Sequence, residues 1–356
     1  MKTAIVMGTR PEIIKLESII SKLPKKNTTI IFTGQHYDYN MGLRFIDQLN
    51  IRKPDHFLKI VKNNPNIQIS QIISKLSKIF TEIKPDTVVV QGDTNTVLAT
   101  SICSLKSGIP ISHVESGLRS YDWRMPEEHN RITTDHLSEL LFAPTNLTKK
   151  NLLAEKVHGK SFVTGNTVID AVNKFSKIAS SKSEISITLD NYILFTLHRA
   201  ENVDSQKSLS SIIKAMIDSN EEIIFPVHPR TLKQLHLFSL YEKIKNSGNI
   251  LILNNVGYFE MLELMKKFSI IVTDSGGLQE EATSPGIRKK VLVIRKSTDR
   301  PESVISGLSE LIGVDTAKIK SAIKRSILNP RLANKKTPFG KGDASEKIIK
   351  IMSTYF

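Results

Sequence analysis

One cysteine, Cys103, is all the chain has. A lone thiol excludes a disulfide framework and a cysteine metal cluster. No apolar run approaches the ~20 residues of a membrane-spanning helix. The N-terminal apolar stretch is cut short by Arg10-Pro11-Glu12, so it does not have the shape of a signal peptide. The common phosphate loops are missing too. No GxGxxG follows a strand, and no GxxxxGK is followed by Ser or Thr. Neither HExxH nor a cysteine–histidine metal spacing occurs. These absences set aside secreted disulfide scaffolds, membrane spans, dinucleotide and kinase loops and zinc centres. A soluble, cytoplasmic protein with no cofactor, no metal and no membrane partner is expected.

What is present is a chain of 356 residues, 40% of them hydrophobic, long enough for two domains with sizeable cores. The formal charge is +15, from 50 Lys and Arg against 35 Asp and Glu. Such a balance invites nucleic acid as a partner, but its distribution argues against it. The basic clusters are short (Lys149-Lys150, Lys289-Lys290, Lys335-Lys336) and no basic stripe carries interleaved aromatics. A solvated surface that attracts small anions is the better reading.

Apolar β-rich runs occur at 2–8, 28–34, 86–92, 110–116, 140–144 and 161–166. Segments of helical period separate them, such as 67–80 and 97–108. The runs are continuous rather than alternating, which suits strands buried on both faces of a parallel sheet. After a Ser- and Lys-rich stretch at 177–186 the pattern restarts, with runs at 192–198, 221–229, 249–256, 269–275 and 289–295. Strand–helix alternation in two blocks predicts an α/β protein of two Rossmann-like, doubly wound parallel-sheet domains facing a cleft. The boundaries are placed at 1–168 and 169–342. Ligands in such folds bind outside the carboxyl ends of the strands, so the residues just after each strand carry the functional question.

After the first strand comes Thr9-Arg10-Pro11-Glu12. Thr9 and Glu12 fit a capping box, and Pro11 suits a first turn. Arg10 is left over, because a cation at a helix N-terminus opposes the macrodipole unless an anion binds there. Lys15, one turn on, reads alone as a surface lysine. After the run at 269–275, Ser275-Gly276-Gly277 opens a helix with free backbone N–H groups, a second anion site. Glu281, a turn further, could accept from ribose hydroxyls. Asp93, Glu115 and His198 also follow strands, while Glu127 and Glu128 open a helix. Asp93 could simply cap a helix, and Glu127 and Glu128 suit the dipole. Glu115 is harder to dismiss, since a buried carboxylate needs a partner. Two anion sites with several carboxylates and a histidine point to acid–base chemistry next to a diphosphate.

GTRPEIIK (8–15), QGDT (91–94), HVESGLRS (113–120), MPEEHNR (125–131), LHRAEN (197–202), TDSGGLQEEA (273–282) and RKSTDRPE (295–302) resemble, in order and spacing, the non-hydrolysing UDP-N-acetylglucosamine 2-epimerases. The resemblance spans the chain. It implies a fold of the GT-B type, with a C-terminal helix at about 343–356 crossing back to the first domain. It also implies a homodimer and reversible conversion of UDP-GlcNAc to UDP-ManNAc, with no metal or nicotinamide. Such a reaction serves surface polysaccharide or glycan synthesis. By position, Asp93, Glu115 and Glu127 resemble the catalytic carboxylates, and His198 the histidine that contacts the diphosphate. Lys15 and Arg131 match positions that shape the sugar site. Arg10, Ser275, Gly276, Gly277 and Glu281 match UDP contacts. The resemblance leaves open which carboxylate is acid and which is base. In GQHYDYNM (34–41), Gln35 and His36 match a loop that binds activator or substrate in bacterial members, but Tyr37 stands where those have arginine.

Two other activities share these features. A GT-B glycosyltransferase would use the same UDP site with an acceptor, and a hydrolysing relative would release free ManNAc and UDP. Relatives acting on 2,3-diacetamido uronic acids resemble a GARPQFIK start more than GTRPEIIK, which favours GlcNAc.

Overall fold

Runs of Val, Ile, Leu and Phe without polar alternation become strands covered on both faces. Ala4 to Met7 in the first strand and Val88 to Val90 in the fourth are fully buried. A computed structural model describes all residues except 36–38, 62–63, 184, 186–191, 269, 330–331 and 333–334. Among the described residues the chain forms two compact units, Met1–Ala171 with Phe339–Phe356, and Val172–Pro338.

The first unit holds a seven-stranded sheet in the order β3-β2-β1-β4-β5-β6-β7. Its strands are β1 (Thr3–Met7), β2 (Thr28–Phe32), β3 (His56–Phe57), β4 (Thr87–Gln91), β5 (Ile111–Val114), β6 (Leu140–Ala143) and β7 (Lys160–Val163). The second holds a six-stranded sheet in the order β10-β9-β8-β11-β12-β13. These strands are β8 (Ile193–Thr196), β9 (Ile223–Pro226), β10 (Ile250–Leu253), β11 (Ile270–Thr273), β12 (Lys290–Val293) and β13 (Ser309–Leu311). Every pairing is parallel, and both sheets are doubly wound. Strands β3 and β13 fall outside the expected apolar runs. At two and three residues they are too short to register as one.

Several helices are capped by neighbouring polar side chains. In the helix Pro65–Ile83, Asn64 accepts from the N–H groups of Asn66 and Ile67, while Ile72, Leu76 and Phe80 are buried at four-residue spacing. They join the core that includes Val88 and Val90 of β4. The helix Thr167–Phe175 spans the boundary between the units. Its Asp170 accepts from the N–H of Ala344 (3.2 Å), the N–H of Ser345 (3.0 Å) and the hydroxyl of Ser345 (2.6 Å). That ties the start of the C-terminal helix, Ala344–Tyr355, to the first unit, where Ile348 and Met352 are buried. No helix among the described residues is long and apolar enough to cross a membrane.

Candidate active site

In both sheets the strand order reverses once, between β1 and β4 and between β8 and β11. Right-handed crossovers send the helices after those two strands to opposite faces, which opens a crevice at the strand ends. Most candidate residues lie on the loops and helix starts that follow these strands and the neighbouring β5.

In the first unit the helix Arg10–Ile20 starts directly after β1. Gly8 leaves no room for a side chain, since a Cβ there would come within 2.3 Å of the hydroxyls of Thr33 and Thr96. Arg10 lies at the first helical position with its guanidinium 4.7 Å from the centre of the Phe45 ring. No carboxylate pairs with it among the described residues. Glu12 does more than cap this helix. It is buried, and it accepts from the N–H groups of Gly8 and Thr9 and from the hydroxyl of Thr94 at 2.6 Å. Burial pushes its carboxyl up from 4.5 to about 7, against hydrogen bonds from Thr94, Gly8 and Thr9 that favour the ion.

Lys15 is not a surface residue. Its ammonium sits 2.5 Å from the Glu115 carboxylate, and both groups are buried. Glu115 also accepts from the amides of Gln91 (2.9 Å) and Asn166 (3.3 Å). Its backbone is left-handed, with φ 69°. For a residue with a Cβ this costs roughly 1–2 kcal/mol. The strain re-aims the chain at the end of β5, where the N–H groups of Glu115 and Ser116 both donate to the Phe142 carbonyl. Gln91 ends β4, the strand beside β5, so a strand-end amide and a cation converge on one carboxylate.

Asp93 is joined to Arg131, with the guanidinium 2.5 Å from its carboxylate. The Asn130 amide donates to the Asp93 carbonyl at 2.9 Å. Both partners lie on the helix Pro126–Leu137. On the first turn of that helix Glu127 is exposed, with no partner among the described residues. Glu128 is buried and accepts from the N–H groups of Ser120 and Tyr121 and the Ser120 hydroxyl, so it fixes the preceding loop. Gln35 is also buried, and its amide oxygen accepts from the N–H and hydroxyl of Thr96. His36 lies outside the described residues. Behind the site, His113 bridges Asp135 (2.7 Å) and the Gly92 carbonyl (2.8 Å). Burial alone would raise the Asp135 carboxyl, but His113 and Arg119 outweigh it and hold it below the ordinary value.

In the second unit the loops after β8 and β11 are joined by Asp274. Its buried carboxylate accepts from the N–H groups of His198 and Arg199 and from the Asn202 amide, and lies 3.1 Å from His198 Nδ1. Burial would raise this carboxyl, yet His198 and the surrounding donors lower it. With Nδ1 occupied by Asp274, the more distant Nε2 of His198 remains to meet a ligand. His228 lies nearby with its ring tilted against that of His198, ring centres 5.8 Å apart, and accepts from the Arg230 N–H. Burial lowers its pKa, reinforced by the charges of His198 and Arg230.

The helix Gly276–Thr283 follows, capped by Ser275, whose hydroxyl accepts from the Leu278 N–H. A Cβ on Gly276 would come within 3.2 Å of the Asp299 carboxylate. One at Gly277 would meet nothing nearer than the Ser275 hydroxyl at 3.9 Å, which leaves the helix start open to a close ligand. Asp299 is held by Arg295 at 2.9 Å and Arg300 at 3.2 Å. The guanidinium of Arg199 lies 3.8 Å away. Glu281 is half-buried, while its neighbour Glu280 is buried against Arg300 at 2.5 Å. The RKSTDRPE segment therefore braces the start of this helix from behind.

The structure thus pairs Lys15 with Glu115 and Arg131 with Asp93, and it adds residues that sequence patterns passed over. Gln91 and Asp274 lie inside the quoted QGDT and TDSGGLQEEA motifs. Asn166 has no local signal, being 51 residues from Glu115 in the chain.

A family model described as UDP-N-acetylglucosamine 2-epimerase matches residues 20–353. The UDP-N-acetylglucosamine 2-epimerase of Methanocaldococcus jannaschii is 43% identical, with 99% of each chain covered. That of Methanococcus maripaludis is 41% identical over 99% of this chain and 98% of its own. A crystal structure of the Methanocaldococcus jannaschii UDP-GlcNAc 2-epimerase in complex with UDP-GlcNAc and UDP superposes with a TM-score of 0.90. It covers 99% of this chain and 100% of that one, at 43% identity.

Proposed function

This chain belongs to the UDP-N-acetylglucosamine 2-epimerase family, and from that premise we propose that it interconverts UDP-GlcNAc and UDP-ManNAc by eliminating and re-adding UDP. The observation that carries the reading is the pair of cation-held carboxylates, Asp93 and Glu115, on loops after adjacent strands in a member of this family.

The chemistry requires such a set. The proton on C2 of the sugar has no neighbouring carbonyl to acidify it. When the C1–O bond breaks and UDP departs with its electron pair, positive charge develops at C1 and the C2 proton becomes labile. A carboxylate takes that proton, leaving 2-acetamidoglucal and UDP. Protonation of C2 on the opposite face, with UDP returning to C1, gives the epimer. Asp93, Glu115 and Glu127 are the groups we assign to proton transfer and to the cationic character at C1. His198, oriented by Asp274, assists the departing diphosphate. Arg10 and the Ser275-Gly276-Gly277 helix start hold that diphosphate, bonded or free. Lys15 and Arg131 set the two carboxylates, and Glu281 takes the ribose. Gln35 and His36 are candidates for an activator or substrate loop. Family membership also supports a homodimer working in the cytoplasm, which supplies ManNAc-type precursors to surface polysaccharide or glycan synthesis.

Proton NMR of UDP-GlcNAc with the pure protein in deuterium oxide tests the reading. UDP-ManNAc carrying deuterium at C2 is expected, with no acceptor or cofactor added. Product with an unlabelled C2 would rule out the elimination route, and free ManNAc with UDP would identify a hydrolysing enzyme instead.

A further inference from the structure

Helix capping accounts for only part of what Glu12 does. A capping box needs its bond to the Thr9 N–H, which it makes at 3.2 Å. Its other oxygen accepts from the Thr94 hydroxyl at 2.6 Å, from a residue 82 positions away. Thr94 follows Asp93 and caps the next helix through the Val97 N–H. Glu12 follows Arg10 by two residues. β1 and β4 are adjacent and their helices diverge, so this one side chain spans the point where the strand order reverses. Glutamine would satisfy the local capping role as well. A fully buried carboxyl, raised to about 7 by its surroundings, is a costly way merely to begin a helix. In the second unit Asp274 makes the equivalent link between the loops after β8 and β11.

We propose that Glu12 is a positioning residue that holds the loop bearing Arg10 and the loop bearing Asp93 at a fixed spacing across this reversal point. The proposal rests on the epimerase reading, in which Arg10 holds the diphosphate and Asp93 serves proton transfer. C1–O cleavage and C2 deprotonation act on neighbouring atoms of one sugar. A change in spacing therefore costs rate more than ground-state binding.

Glu12→Asp keeps the charge but shortens the side chain by one methylene, so it cannot reach Thr94 and the Gly8-Thr9 backbone together. The expected result is a fall in kcat on the order of 10–100-fold, with KM for UDP-GlcNAc changed by less than about threefold. Glu12→Gln keeps the reach and should restore kcat to within about fivefold of wild type, a rescue that a requirement for charge alone would not give. Thr94→Val removes the distant anchor without touching Glu12. Combined with Glu12→Asp, it should lower kcat little beyond either single change, since both break one link. Circular dichroism melts of all variants establish that they fold. Wild-type kcat in a folded Glu12→Asp variant, or fully additive losses in the double variant, would overturn the proposal. Wild-type protein inert toward UDP-GlcNAc would instead overturn the epimerase reading, and this inference with it.

Discussion

Replacing Glu12 with glutamine should stabilise the first unit at pH 8 and do so far less at pH 5. Burial moves the carboxyl from 4.5 to about 7, against the hydrogen bonds from Thr94, Gly8 and Thr9. At ~1.4 kcal/mol per pH unit, the ionised form in the folded state is therefore penalised by about 3 kcal/mol. Below pH 4.5 the group is protonated in folded and unfolded chains alike, and no penalty arises. Between 4.5 and 7 the unfolded chain releases its proton while the folded one keeps it, so stability falls as pH rises through that window. Above 7 the full penalty persists. Glutamine stays neutral throughout, accepts from the Gly8 and Thr9 N–H groups and donates to the Thr94 oxygen. It should remove this pH dependence. For a unit of this size, about 3 kcal/mol corresponds to roughly 6–12 °C in melting temperature. Calorimetric melts of wild type and Glu12→Gln at pH 5, 6, 7 and 8 read the gap directly. A gap that does not widen with pH, or a variant less stable than wild type at pH 8, would show that burial does not penalise the Glu12 carboxylate.

Asp93→Asn should slow deuterium exchange at C2 by roughly 10²–10⁴-fold, the usual range for a general acid or base, while calorimetry shows UDP still binding. Exchange at the wild-type rate would remove Asp93 from proton transfer. Asp274→Asn replaces the carboxylate that faces His198 Nδ1, and kcat should fall about 10–100-fold as the ring loses its orienting partner. The lowered Asp274 carboxyl stays ionised down to below its ordinary value of 3.8, so it should contribute no acid limb to the rate between pH 5 and 8 in a pH–rate profile. Asp170→Ala strips three donors at the start of the C-terminal helix of their acceptor. It should destabilise the first unit by about 2 kcal/mol and speed proteolysis within 344–355. Equal cleavage rates in variant and wild type would show that the helix is held by its apolar face alone.

Much of the architecture was legible because parallel strands buried on both faces read as unbroken apolar runs. The runs at 2–8 and 86–92 contain β1 and β4. Strands β3 and β13 escaped because two or three residues cannot establish a period. Local reading also mistook the weight of particular side chains. Glu12 looked like a helix-start residue, because its bond to Thr94 depends on two strands lying side by side. Lys15 reads locally as surface and is a candidate site residue only through the resemblance, and its burial against Glu115 reaches across 100 positions.

The two blocks of strand and helix, the helix starts at Arg10 and Gly276, and the family follow from local patterns and motifs whose residue types and order are read directly. Helix caps and strand runs are local, so their causes lie within a few residues. The partner that each charged group meets is set by the fold. Lys15 with Glu115, Arg131 with Asp93, His198 with Asp274 and Glu12 with Thr94 are pairs between loops and helices brought together by sheet order. In a doubly wound sheet, strands adjacent in space can be far apart in the chain, as β1 and β4 are. The segments that bear these pairs become neighbours only once the sheet has assembled.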